Sequence, residues 1–454
     1  MKNSLYNLLI LLVGIPIVSC VQENKKTSTV QDFAFTENNW EIENTDGSMD
    51  TITILEHQGR QALLLESNQK AYLKGATFKN FQLEFHCNGQ VPGLGFRIQD
   101  KKNYEYLYLR MMMSGKKDAL QYIPIYNGSL PWQLYNYPKY EGNAVFPRKE
   151  VATLPLSLEE ELVQGKVGKT LLKALEEEGI LYSEESFIDL PNETMSYIYD
   201  PQRNEALLFE KRKDSIVFLD IRTWIPAKIV VIEDKMSVYV GDMGTPTFVV
   251  DNLKGESKAG GISLFSTFGQ VYFSDVSIQE IKESDIPKHQ GTEEGIPSNY
   301  LTTWQMSEMF VMDTLNFVAQ VDSLLKSRDS FKTVKADTDG LLNISRFYDD
   351  MDKTVVLTCT LLSDSDQEVS LNFDYADHLV IVLNSKVLFD GGMNFRPPPE
   401  KGTEGRVFVD DEQTVLNLRK GTNDLTFVLS GDNRQKYNWG CIAKLAHLDG
   451  ISLE

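Results

Sequence analysis

What most constrains this chain is its texture. From about residue 31 to residue 280, apolar and polar residues alternate in short runs, with turn-forming residues between them. Gln61 to Glu66, Phe81 to Cys87, Gly93 to Gln99, Tyr104 to Met112, Ala227 to Ile232, Lys235 to Val240, Gly261 to Phe265 and Val271 to Ile278 all read this way. A period of two suits a half-buried strand and does not suit a helix. The texture returns after Leu341, in Val355 to Leu361, Val369 to Phe373, His378 to Leu383, Thr414 to Leu418, Asp424 to Leu429 and Gly440 to Ala446. The predicted fold class is therefore mainly β: two β-sandwich or jelly-roll domains, the first interrupted by a small α+β insertion.

The insertion, residues 151–223, breaks the texture. Ser157-Leu158-Glu159-Glu160 has capping-box spacing. Val167, Leu171, Leu172 and Leu175 fall at helical spacing, and Gly179 suits a helix end. Met195 to Tyr199, Ala206 to Phe209 and Ser215 to Asp220 read as strands. This predicts about two helices and a three-stranded meander. Residues 31–150 and 224–281 then form the first sandwich, 282–299 a polar linker rich in Pro and Gly, and 300–454 the second sandwich. The second opens on a helical segment whose apolar stripe is Leu315, Val318, Val321, Leu324 and Leu325.

The N-terminus reads as an address. Lys2 precedes an apolar run from Leu5 to Val18, too short to span a bilayer with confidence and suited to a signal peptide. It ends in Ile17-Val18-Ser19-Cys20, which resembles a bacterial lipobox. That resemblance implies a signal peptide over 1–20, lipidation at Cys20, a tether over 21–30, and a lipid-anchored chain at the bacterial envelope facing the periplasm or the exterior. Of the other cysteines, Cys87, Cys359 and Cys441, an odd number, at least one is unpaired. Buried thiols and a Cys359–Cys441 bridge are both open.

Acidic residues outnumber basic ones by 65 to 45, a formal charge of −20. A nucleic-acid partner needs a basic footprint and is disfavoured. A neutral, cationic or carbohydrate partner, or a protein surface, remains. No zinc spacing, HExxH, nucleophile elbow, Walker loop or dinucleotide fingerprint occurs, and no catalytic residue or cofactor is assigned. Asp374, Asp377 and Asp390 are hard-oxygen groups of the kind that hold a structural Ca²⁺, or else solvated turn carboxylates.

Aromatic residues give the clearest functional signal. Strand alternation puts Tyr104, Tyr106, Tyr108 and Arg110 on one face, with Leu107, Leu109 and Met111 on the other, toward the core. Trp132 and Tyr135 follow in a Pro-containing loop. Flat rings cover the C–H faces of sugars, and Arg, Asn and Gln bind their hydroxyls. The same tyrosines would equally fill a two-sided core. In the second half, Asn394 and Arg396 precede three prolines, and Trp439 lies in a second loop, a pattern suited either to a binding rim or to a plugged barrel end.

Two stretches carry a wider resemblance. Tyr104 to Arg110, Gln121 to Gly128, Trp132 to Tyr135, Trp224 to Val231 and Val238 to Asp242 together resemble a concanavalin A-like, laminin G-like sandwich. His378 to Phe389 and Leu418-Arg419-Lys420-Gly421-Thr422-Asn423-Asp424-Leu425 resemble a galactose-binding-like jelly roll, with Ser385 where that pattern has glycine. With these resemblances beside the aromatic and loop patterns, the leading expectation is non-catalytic carbohydrate binding through Tyr104, Tyr106, Tyr108, Arg110, Trp132, Tyr135, Asn394, Arg396 and Trp439. Two readings compete with it. One is a glycan-processing hydrolase similar to 3-keto-glycoside hydrolases, using acidic groups such as Glu84 and Glu105. A laminarinase-type Glu-x-Asp-x-x-Glu strand, which retaining hydrolysis by paired carboxylates would use, does not occur. The other is an envelope scaffold docking a protein partner through the insertion and the helical stripe within 306–327.

Overall fold

The computed structural model describes residues 30–192, 195–202, 205–286, 296–313, 316–393, 405–431 and 438–453. The expected signal segment, Cys20, Asn394 and Arg396 lie outside the described residues. The fold is mainly β, with antiparallel sheets forming the sandwiches.

Two long strands organise the first sandwich, Phe81–Asp100 and Gly261–Glu280. They pair along their length with several register shifts, two of them flanking Phe268. Where the sequence suggested two strands each, with gaps between Cys87 and Gly93 and between Phe265 and Val271, the chain bends without leaving the ladder. Bulges absorb the bend. Gly89 has φ +136 and no room for a Cβ beside Val271. Before the bend, Phe81–Asp100 pairs with Ile225–Ile232; beyond it, with Asn103–Leu109. Each long strand thus serves two branches of sheet. Their inward residues Leu83, Phe85, Leu94, Phe96, Leu264 and Phe273 share one core with Leu107, Ile229 and Val238.

The insertion is a six-stranded antiparallel sheet. Its first strand, Lys149–Pro155, pairs with its last, Ser215–Asp220, so the chain enters and leaves side by side. One α-helix, Lys169–Glu177, buries Leu171 and Leu175 against Ile188, Ile198, Leu207 and Phe218. Gly179, at φ +79, ends it. The expected second helix at Ser157–Glu160 is a short 3₁₀ turn, Leu156–Glu161, with no side-chain cap bond. Pro155 precedes it and Gly165 and Gly168 follow, leaving no length for an α-helix. The other face of this sheet is also buried. Leu208, Val217 and Leu219 join the core of the first sandwich, and Tyr199 stacks on Phe268 with centroids 5.6 Å apart. The insertion is thus docked on the first sandwich through this face.

The second sandwich packs a seven-stranded sheet on a four-stranded one, around Trp304, Leu357, Phe373, Phe427 and Trp439. The helix Phe317–Leu325 lies over the outer valines Val356, Val380, Val382 and Val428 through Val321. Of the expected stripe, Leu315 lies outside the described residues and Val318 is 50% exposed. The helix starts only at Phe317, which packs on the same valines, while Val318 and Ala319 face solvent.

Cys87, Cys359 and Cys441 are free and buried, so the Cys359–Cys441 bridge is not formed. Burial pushes the Cys359 and Cys441 thiols up to about 12, which suppresses the reactive thiolate. The native chain is expected to leave all three unreactive to a thiol-specific disulfide reagent at pH 8 and to release all three in denaturant. Prompt native reaction of any of them would contradict this packing.

Candidate functional site

The site is built on the strand Asn103–Leu109 and its neighbours. Residues directly opposite in antiparallel strands share a face. One cross-strand row runs Ile123, Tyr106, Gly95, Ser263, Tyr72. The next runs Gln121, Tyr108, Gly93, Phe265, Lys70, Glu43. The opposite face holds Leu107, Leu94 and Leu264, as alternation predicted. Gly93 and Gly95 are glycine for a local reason: a Cβ at either would collide with the ring of Tyr106 or of Phe265.

The tyrosines form a ladder of rings. Tyr104 stacks on Phe265 at 5.6 Å, Tyr106 lies 4.9 Å from Phe265, and Tyr106 and Tyr108 stack at 5.4 Å. The middle rungs are deep: Tyr106 is 2% exposed and Tyr108 5%. Tyr106 hydrogen-bonds Thr267, and Tyr108 donates to Gln121. Tyr104 at one end and Trp132 at the other are half-buried. Accessible surface is thus confined to the ends of the ladder, and Tyr106 and Tyr108 are its packed interior.

At the Tyr104 end lie Tyr72, Lys70, Glu43 and Lys101. Lys101 pairs with Glu43, and the Lys70 ammonium lies 5.3 Å from the Phe265 ring. Burial pulls Lys70 below its ordinary value and pushes Tyr72 and Tyr104 up, so both phenols stay protonated donors. The Tyr72 hydroxyl and Ser263 Oγ, neighbours in one row, are buried and have no hydrogen-bond partner among the described residues.

At the other end, Arg110 donates to the Tyr108 hydroxyl at 2.9 Å, to Gln121 at 2.6 Å and to Asp118 at 3.0 Å. Arg406 joins from far along the chain, bonding Asp118 at 3.1 Å and pairing with Glu141. The two guanidiniums lie 6.0 and 5.2 Å from the Trp132 ring. Burial pushes the Glu141 carboxyl above its ordinary range, opposed by Arg406 and Arg110.

Other expected site residues lie elsewhere. Tyr135 is 0% exposed, within the seam between the sandwiches, where its hydroxyl accepts from Asn343 at 3.3 Å and lies 3.4 Å from Asp337. Trp439 is also 0% exposed; its indole N–H donates to Leu429 O from inside the second core. Neither can meet a ligand at a rim, because the two sandwiches close over one and the barrel closes over the other. Glu105 lies on the core side, 2% exposed, accepting from Tyr122 at 2.5 Å and from the Gly255 N–H at 2.7 Å. Glu84 is exposed and pairs across to Lys228 on the other branch of sheet. The two carboxylates do not converge. Asp374 accepts from the backbone N–H groups of Tyr375 and Phe408, and Asp390 pairs with His378. Among the described residues no group of three ligating side chains converges.

Sequence reasoning missed Lys70, Tyr72, Ser263, Phe265 and Arg406. All reach the site by long-range pairing. The nearest local signal was the aromatic and charged alternation of Lys70 to Leu73.

The chain matches no protein-family model, and no curated protein matches it. Solved structures match with low overall similarity. The carbohydrate-binding module CBM66 from Bacillus subtilis is 12% identical with TM-score 0.27, over 53% of this chain and 96% of that one. Domain 4 of AbnA, a GH43 extracellular arabinanase from Geobacillus stearothermophilus, in complex with arabinotriose, is 10% identical with TM-score 0.28, over 57% and 97%. An anti-sigma factor domain-containing protein is 8% identical with TM-score 0.21, over 92% and 95%. At these values the likenesses carry no argument about function, which rests on the residues themselves.

Proposed function

We propose that this chain is a non-catalytic carbohydrate-binding protein, held at a bacterial envelope through a lipid on Cys20. The observation that carries the binding reading is the Tyr104 end of the ladder. There the half-buried rings of Tyr104 and Tyr72 adjoin the ammonium of Lys70 and, beyond it, the Lys101–Glu43 pair. A sugar's C–H face would cover Tyr104 while its hydroxyls meet Lys70 and Lys101. The separation of Glu105 from Glu84 gives paired-carboxylate hydrolysis no support.

A glycan array with the full chain in detergent, followed by product analysis of any hit, tests this reading. Tyr104→Ala is expected to weaken binding about tenfold or more, equivalent to about 1.4 kcal/mol. Lys70→Met is the second test: the melting temperature should show the fold intact, yet binding should fall. Binding that survives both changes would remove the site. The anchor has its own test: Cys20→Ser should move the chain from the membrane to the soluble fraction.

A further inference from the structure

The second sandwich supplies an unexpected group to the ladder. Arg406 is buried and binds across the seam to the Glu141 carboxylate, to Asp118 at 3.1 Å and to Asn136 Oδ1 at 3.4 Å. Glu141 and Asp118 also face Arg110, at 3.7 and 3.0 Å. Two arginines and two carboxylates thus form one buried, electrically balanced cluster. Arg110 in turn holds the hydroxyl of Tyr108, the foot of the ladder, and Gln121 donates to the carbonyls of Trp132 and Tyr135. The neighbouring backbone is clasped from the same side. Asn438 and Gln133 exchange two hydrogen bonds of 2.9 and 2.6 Å, and Val407 N–H donates to Gln133 O at 2.9 Å.

We propose that Arg406 is a positioning residue for the ladder: by balancing Glu141 and Asp118 it frees Arg110 to fix Tyr108 and holds Trp132 in place, so the second sandwich regulates the binding face of the first. This rests on the carbohydrate reading of that face. Without Arg406, two buried carboxylates face one arginine, and a buried charge left uncompensated rearranges its surroundings or takes a proton. Glu141 is the group to titrate. The groups facing it are Arg406, Arg110, Asp118 and Tyr108, together with the Tyr137 N–H at 3.0 Å. Its folded-state value, already raised by burial, rises further when Arg406 is removed. The native geometry is then favoured at low pH and lost as pH rises through that value.

The experiment is ¹⁹F NMR of the full chain in detergent, labelled with 5-fluorotryptophan, with the Trp132 resonance assigned by Trp132→Phe. Arg406→Ala should shift that resonance and give it a pH titration with a midpoint above any seen in the parent. Glycan affinity should fall about tenfold at pH 8 and recover toward the parental value on acidification. A folded Arg406→Ala variant with the parental Trp132 shift and pH response overturns the proposal. If Arg406→Ala does not fold, Arg406→Gln must show the titration and Arg406→Lys must lack it; identical behaviour of the two overturns the proposal equally. The resonance needs no ligand, so a parent chain that binds no glycan removes the carbohydrate reading alone.

Discussion

Trp439→Ala is expected to destabilise the second sandwich by about 3–5 kcal/mol, the usual cost of emptying a buried tryptophan site. The indole is fully enclosed, contacts Gly431 and lies 6.4 Å from the Tyr348 ring. The effect should travel. Asn438, the preceding residue, clasps Gln133 in the aromatic loop of the first sandwich. Urea unfolding followed by tryptophan emission and by far-UV dichroism should show the second sandwich melting first, with Trp132 reporting the loss of the seam. A change below about 1 kcal/mol would mean that the indole is not the core residue described here.

Glu141→Ala should cost a comparable amount, about 3–5 kcal/mol, for a different reason. It leaves Arg110 and Arg406 near one another with Asp118 as their shared counter-ion. The double variant Glu141→Ala/Arg406→Met should cost less than the sum of the two single changes, because removing both partners leaves no orphaned charge. Strict additivity in denaturant titrations would show that the two groups do not interact across the seam.

The strands were legible because alternation is local. Ser215 to Asp220 has the same bounds in the sequence reading and in the structure, and Leu107 and Leu109 face the core as expected. The continuity of Phe81–Asp100 through Gly89 was hidden, since a glycine inside a run reads as a turn until its partner strand is known. The ladder's face was legible, but its depth was not. Tyr106 is buried by Phe265, which is brought there by pairing across the sheet, and no periodicity encodes that contact. Trp439 and Tyr135 failed as rim residues for the same kind of reason. A loop position says that backbone leaves a sheet, and what then closes over the loop is decided by elements remote in sequence. The buried charge cluster was least legible, because Asp118, Glu141 and Arg406 each look like ordinary surface charges until the seam assembles them.

The paired ends of the insertion have a consequence for how the chain can be cut. Because Lys149 and Asp220 are cross-strand neighbours, the residues between them could be excised and the ends joined by a tight turn without altering the path of the host strands. Packing opposes what topology permits. Excision would strip Tyr199 from Phe268 and uncover the patch that Leu208, Val217 and Leu219 close. The shortened chain would keep its fold and gain an adhesive surface, so it should self-associate as its concentration rises.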